Sequence, residues 1–195
     1  DKYSAFVYPS ERSEEIANTL KTLKMEPTLK PVVERLANAV NNYCKEKRGI
    51  KEIPGLLHIC TKFAQVMNEL PAFFCIASFC LKHSPAFYST NNWQAVVLRV
   101  LARVDTQLAK RVVHSLNQLS EHFFSFLLPC YSEPDSSQLC DYYIATTPSF
   151  IVYTLCAYLL IHREHILRSQ ITSDTLTKLP PPPVSHLIRV STMLF

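Results

Sequence analysis

The sequence predicts an all-α, multi-helix chain, and three observations predict it. Two glycines stand against 13 prolines. That is too little Gly for the turns of a β-sandwich or a dinucleotide-binding fold, and enough Pro to stop helices repeatedly. Apolar residues recur at three- and four-residue spacings in one stretch after another, the signature of one-sided helices. No stretch reads as a strand.

Nine or ten helices are expected, in the following order. Residues 1–10, with Tyr3, Phe6, Tyr8 and Pro9, have no period and read as an extended lead-in. Ser13, Glu14 and Glu15 start a helix, acids being favoured at its positive end. Ile16, Leu20 and Leu23 form its stripe, and it stops before Pro27. Pro31 in the first turn opens a second helix. Its face is Val32, Val33, Leu36, Val40 and Tyr43, with Lys45, Lys47 and Arg48 at the end and Gly49 as terminator. After the Ile53-Pro54-Gly55 turn, Leu56–Leu70 reads as a helix burying Leu57, Cys60, Phe63, Ala64 and Met67, broken at Pro71. Ala72–Leu81 is apolar nearly all round and should be central.

Ser84-Pro85 and Ser89–Asn92 punctuate the next join. Trp93–Val104 carries the stripe Val96, Val97, Val100, Leu101 and Val104. Asp105 then caps a helix over 106–119, burying Leu108, Val112, Val113, Leu116 and Leu119. Phe123, Phe124, Phe126, Leu127 and Leu128 form a hydrophobic knot closed by Pro129, and 129–137 is loop. Residues 138–167 give a short helix, a Thr146-Thr147-Pro148 break and one long buried helix. Ser173 and Asp174 start a turn of helix, Leu179–Pro183 is polyproline, and Val184–Phe195 is a closing amphipathic helix.

Composition excludes several classes of function. The 195 residues are 48% hydrophobic and 18% charged, a globular profile that suits one domain or two lobes sharing a core. The net charge of +4 is dispersed, which argues against nucleic acid as partner. Seven cysteines without a C-x-x-C pair read as reduced core thiols in a reducing compartment, hence a cytoplasmic location. The longest near-apolar run, Ser149–Ile161, falls short of the roughly 20 residues of a membrane span. The start lacks an initiator Met and a signal-like segment, which reads as a fragment of a longer chain.

Two Gly cannot build a phosphate-binding loop, and no G-x-S-x-G sets up a serine nucleophile. His162 and His165 share one helix face, but no third ligand is in reach, and they read as a solvated helix end. His58, Cys60, Cys75 and Cys80 read as core or edge residues. No cofactor and no metal is expected. The proline run reads as a stiff spacer, with a ligand for an SH3 or WW groove as the alternative.

The final third also carries a family likeness. Leu139-Cys140-Asp141, the Thr146-Thr147-Pro148 break, the long apolar helix and its Arg163-Glu164 end resemble the C-terminal lobe of TBC domains, the Rab GTPase-activating fold. Leu98–Leu116 is similar to that family's paired helices, Phe123–Leu128 to its aromatic helix, and Leu179–Phe195 to its closing segment. The likeness covers about residues 95–195 and implies a two-lobed helical domain, residues 1–94 forming the other lobe. Asp141 takes a structural family position. In residues 1–94, Phe63–Leu70 resembles the family's Y-x-Q-G-M-N-E-L stretch, with Phe63 for Tyr and Val66 for Gly. Gln65 would then be the glutamine finger, which positions the attacking water. Phe6–Arg12 matches I-x-x-D-x-x-R only at its end, Arg12 being the arginine-finger candidate and Pro9 standing where Asp belongs. An arginine finger contributes about 10³- to 10⁵-fold in rate, so its state separates the readings that the resemblance implies. One is a TBC-like domain that engages a Rab-family small GTPase, or serves as a catalytically degenerate scaffold in a larger assembly linked to membrane trafficking at endomembrane surfaces. The second is an active GTPase activator using Gln65. A third reading, outside the family, is a helical adaptor subunit. In each the partner is a protein.

Overall fold

The computed structural model describes residues 3–83, 92–170 and 174–195. Among these the chain is all-helical, with eleven α-helices, two short 3-10 turns and no strand. It divides into two compact units, Asp1–Tyr88 and Ser89–Phe195. The expected joins at Ser84-Pro85 and Ser89–Asn91, and the turn start at Ser173, lie outside the described residues.

The first unit holds α1 (Ser13–Thr22), α2 (Lys30–Arg48), α3 (Leu56–Val66) and α4 (Glu69–His83), and α2 packs on the other three. Val33, Leu36, Ala37, Val40 and Cys44 of α2 are wholly buried. Pro31 lies in its first turn, as expected. Gly49 ends it at φ 67°, donating to the Lys45 carbonyl at 2.8 Å. A Cβ there would meet nothing, so only the left-handed backbone asks for Gly.

The lead-in is not extended. Phe6 N–H donates to the Tyr3 carbonyl at 2.9 Å, and Phe6 is buried against the rings of Tyr43 and Phe73. Polar side chains of α2 hold its backbone in place. The Asn42 amide donates to the carbonyls of Phe6 (3.1 Å) and Tyr8 (2.9 Å). The backbone N–H and hydroxyl of Ser10 donate to Asn38 Oδ1 at 2.9 and 2.7 Å. Aromatic residues without a helical period still have surface to bury, and here buried amides fix where it goes.

The break between α3 and α4 comes earlier than Pro71. Met67 is extended (φ −149°, ψ 161°) and stops α3 at Val66. Pro71 is the third residue of α4, where a missing N–H costs nothing because that donor has no partner within the helix. The inward face of α3 is Leu56, Ile59, Cys60 and Phe63, while Leu57, Ala64 and Met67 are half-buried. Nor is α4 buried all round. Phe73, Ile76, Phe79 and Cys80 face inward, and Leu70, Phe74, Cys75 and Ser78 face out.

In the second unit lie α5 (Trp93–Val104), α6 (Thr106–Val112), α7 (Ser120–Phe124), α8 (Asp135–Ala145), α9 (Phe150–Ile161), α10 (Arg163–Arg168) and α11 (Val184–Leu194). At its centre is α9, packed against α5, α7, α10 and α11. Nine of its residues are buried, and the polar side chains among those nine are paired. Thr154 Oγ1 donates to the Phe150 carbonyl at 3.0 Å and the Cys156 thiol to the Val97 carbonyl at 3.6 Å. The Tyr158 hydroxyl donates to the Leu179 carbonyl at 2.8 Å. The Tyr131 hydroxyl likewise donates to the Pro182 carbonyl at 2.9 Å. Two buried phenols thus strap the polyproline segment to the helical body, which suits the spacer reading over that of a free peptide ligand.

Several expected helices are divided. Residues 106–119 give α6, a tight turn in which Ser115 N–H donates to the Val112 carbonyl at 2.9 Å, and a 3-10 turn over Leu116–Leu119. Val113 falls on the outside of that turn. In α5 only Trp93, Val97 and Leu101 are buried, and Val96 and Val104 are exposed. The last three residues of the expected 129–137 loop already belong to α8. The long helix is interrupted at His162 (φ −92°, ψ 11°), which separates α9 from α10. The hydrophobic knot has a backbone cause. Phe126 and Leu127 adopt φ 57° and 59°, and Leu127 N–H donates to the His122 carbonyl at 2.8 Å. Two buried apolar residues make a left-handed turn that Gly would normally make, at a cost of about 1 kcal/mol or more each.

Asp105 caps α6 as expected, its Oδ1 accepting from Leu108 N–H at 2.9 Å. Its second oxygen pairs with Arg163 of α10. The Leu108 N–H, and then Arg163, hold this carboxyl below its usual range. A depressed folded pKa contributes stability above the unfolded value of about 4, and loses it as pH falls further. Asp105→Ala should therefore cost about 1 kcal/mol at neutral pH, with the gap to wild type closing in acid. Urea unfolding at several pH values measures this, and a gap that widens in acid would contradict it. Tyr158→Phe leaves the Leu179 carbonyl without its donor, and should lower the unfolding free energy by roughly 1–3 kcal/mol; an unchanged denaturation midpoint would refute the strap.

Candidate functional site

Arg12 stands at the entry to α1, immediately after the segment that Asn38 and Asn42 pin. Its guanidinium meets Glu15 in a two-pronged contact, Nε to Oε2 at 2.9 Å and NH2 to Oε1 at 2.5 Å. NH1 lies 3.1 Å from Glu52 Oε1. The hydrogen bonds that Arg12 donates to Glu15 hold its guanidinium pKa above the ordinary value. A planar fork against one carboxylate, with a second carboxylate beside it, is the arrangement of a structural arginine. It ties the lead-in to α1 and to the Lys51–Ile53 stretch before α3.

Gln65 is the penultimate residue of α3. It is exposed and has no side-chain partner among the described residues. Its neighbour Phe63 is buried, so the aromatic position of the resemblance is a packing position. Val66, at the family's Gly position, is half-exposed. No hydrogen bond or ion pair joins Arg12 to Gln65; Arg12 precedes α1, and Gln65 is near the end of α3.

The start of α4, just beyond Gln65, is fixed by a charged cluster. Arg35 Nε and NH2 donate to Glu69 Oε1 and Oε2 at 2.8 and 2.6 Å. The Tyr3 hydroxyl donates to the same carboxylate. Arg35 holds Glu69 below the usual carboxylate range, while burial and then Glu69 push the Tyr3 phenol up. Beside this cluster Leu70 and Phe74 are 42% and 46% exposed, one turn apart on α4. Gln65, Val66, Leu70 and Phe74 thus give the end of α3 and the start of α4 a solvent-facing surface of mixed character.

Asp141 lies in the second unit, exposed on α8, between buried Cys140 and the Tyr142-Tyr143 pair. Leu139 is wholly buried, so the Leu-x-Asp position divides into one core residue and one solvent residue. His162 is only partly solvated. Its Nε2 is buried without a hydrogen bond and burial pulls its pKa down, whereas His165 is exposed on α10. No group of three metal-ligating side chains occurs among the described residues. No disulfide joins any of the seven cysteines. Burial pushes the thiols of Cys44 and Cys156 up to about 12 and that of Cys130 up to about 11, the opposite of an activated nucleophile. Cys75 is the exposed one. No described helix is long and apolar enough to cross a membrane.

Sequence reasoning missed Asn38 and Asn42. The signal was present, two amides four residues apart inside an apolar stripe, which puts both on one face of α2. It also missed Tyr131 and Tyr158, whose hydroxyls find partners far along the chain. No protein-family profile matches this chain, and no curated protein does.

The two finger candidates should respond differently to truncation. Arg12→Ala should lower stability by up to about 1 kcal/mol, because the pair is only part-buried, and the loss should shrink in high salt. Gln65→Ala should leave stability unchanged. Chemical denaturation at low and high salt measures both; a neutral Arg12→Ala beside a destabilising Gln65→Ala would reverse the assignment.

Proposed function

We propose that the chain is a TBC-like helical domain that engages a Rab-family small GTPase as a binding scaffold in a membrane-trafficking assembly, and that it supplies no arginine finger. The observation that carries this reading is the state of Arg12, whose guanidinium is occupied by Glu15 and Glu52. A finger must reach a partner's phosphates, and Arg12 would first have to abandon two carboxylates. The all-helical architecture agrees with such a domain. So does the exposed surface of Gln65, Leu70 and Phe74, since exposed apolar side chains beside polar ones suit a protein partner.

A second reading, activation of GTP hydrolysis through Gln65 alone, has one observation in its favour: Gln65 is solvent-facing and uncommitted. GTP turnover by a panel of Rab proteins, with and without the chain, decides between the two. As a scaffold the chain should leave hydrolysis near its intrinsic rate, against the roughly 10³- to 10⁵-fold of a complete finger pair. It should still bind at least one panel member. Acceleration by wild type that Gln65→Ala abolishes would establish the catalytic reading, and failure to bind any panel member would remove the GTPase partner.

A further inference from the structure

Residues 7–9, α1 and α2 enclose a groove of about 510 Å³ in the first unit, within the size range of ligand sites. We propose that this groove docks a basic segment of a partner protein, taking one arginine or lysine side chain between Glu14 and Glu34 and alongside the ring of Tyr8. Val7, Tyr8 and Pro9 form one wall, and Tyr8 is 53% exposed. Glu14 comes from the first turn of α1 and Glu34 from α2.

The charge pattern selects the occupant. Neither Glu14 nor Glu34 has an ion pair or a side-chain hydrogen bond among the described residues. Arg35 also lines the groove, but both prongs of its guanidinium bind Glu69, so it does not neutralise them. Two unpaired carboxylates beside an exposed aromatic ring suit a cation, with the ring face adding its own attraction. Val7 and Pro9 offer apolar surface to the methylene stem that arginine and lysine carry and a metal ion lacks. The wall is already in place, because Asn42 holds the carbonyls of Phe6 and Tyr8 and Asn38 holds Ser10. A preformed wall spares the ordering cost of binding. This inference does not rest on the GTPase reading; the groove is built from residues outside the Gln65 surface.

The net charge of +4 makes the test discriminating, since long-range attraction alone favours an acidic peptide. The isotopically labelled full chain is titrated at physiological salt with acetyl-Ala-Leu-Arg-Leu-Ala-amide, and with the same peptide carrying Gln or Glu in place of Arg. The Arg peptide should shift amides in residues 7–14 and 34–38, and should bind at least about fivefold more tightly than the other two. The Glu14→Gln/Glu34→Gln pair should erase that preference, and Tyr8→Leu should reduce it, both with the chain still cooperatively folded at the titration temperature. Equal binding of the three peptides, preference for the Glu peptide, shifts centred on Leu70 and Phe74, or no shift at millimolar peptide would each overturn the proposal.

Discussion

The second unit depends on one constraint, that α9 is buried on nearly every side, only Tyr153, Leu160 and Ile161 keeping partial exposure. A helix of twelve residues with nine buried gains much apolar burial, but every polar atom it buries must find a partner inside. Thr154 turns back onto its own helix, Cys156 reaches Val97 of α5, and Tyr158 reaches the carbonyl of Leu179. These contacts place the neighbours. The Tyr158 bond, with that of Tyr131 to Pro182, fixes the proline segment, which delivers α11 onto α9. The left-handed turn at Phe126 and Leu127 persists because the same core buries both side chains.

The first unit solves its problem with amides. There the helix that touches the others, α2, has an exposed edge and carries Asn38 and Asn42 inside its packing face. They supply hydrogen bonds to a segment with no secondary structure of its own, and that segment brings Tyr3 and Phe6 to the rings of Tyr43 and Phe73. Its placement then sets the two features that bear on function. It holds Arg12 among carboxylates, and it forms the wall of the Tyr8 groove.

Helix identity was legible wherever spacing and stop signals agreed, as in α1, in α2 with Pro31 and Gly49, and at Asp105. Breaks without Gly or Pro were not legible. Nothing local in the sequence marks Met67, Ser115 or His162 as an end, because tertiary packing sets those points. Outward faces were misread for a related reason: Phe74, Val96 and Val104 fit an apolar stripe, and only the packed structure shows which members of a wide stripe are left in water. The positions of Gln65 and Arg12 came from resemblance alone. Arg12 is committed through Glu15 and Glu52, and Glu52 lies forty residues from it in the chain, beyond any local pattern. The proposed GTPase partner likewise comes from the resemblance, and these contacts bear only on whether Arg12 is available to it.

Hydrogen exchange resolved along the second unit tests the central physical claim most directly. If α9 is the element on which that unit is built, its amides open only when the whole unit unfolds. They should be the slowest of residues 93–195, exchanging with the free energy of global unfolding and losing protection together with α5 and α11. Amides of α9 that exchange by local opening, while α5 or α11 stays protected, would contradict it.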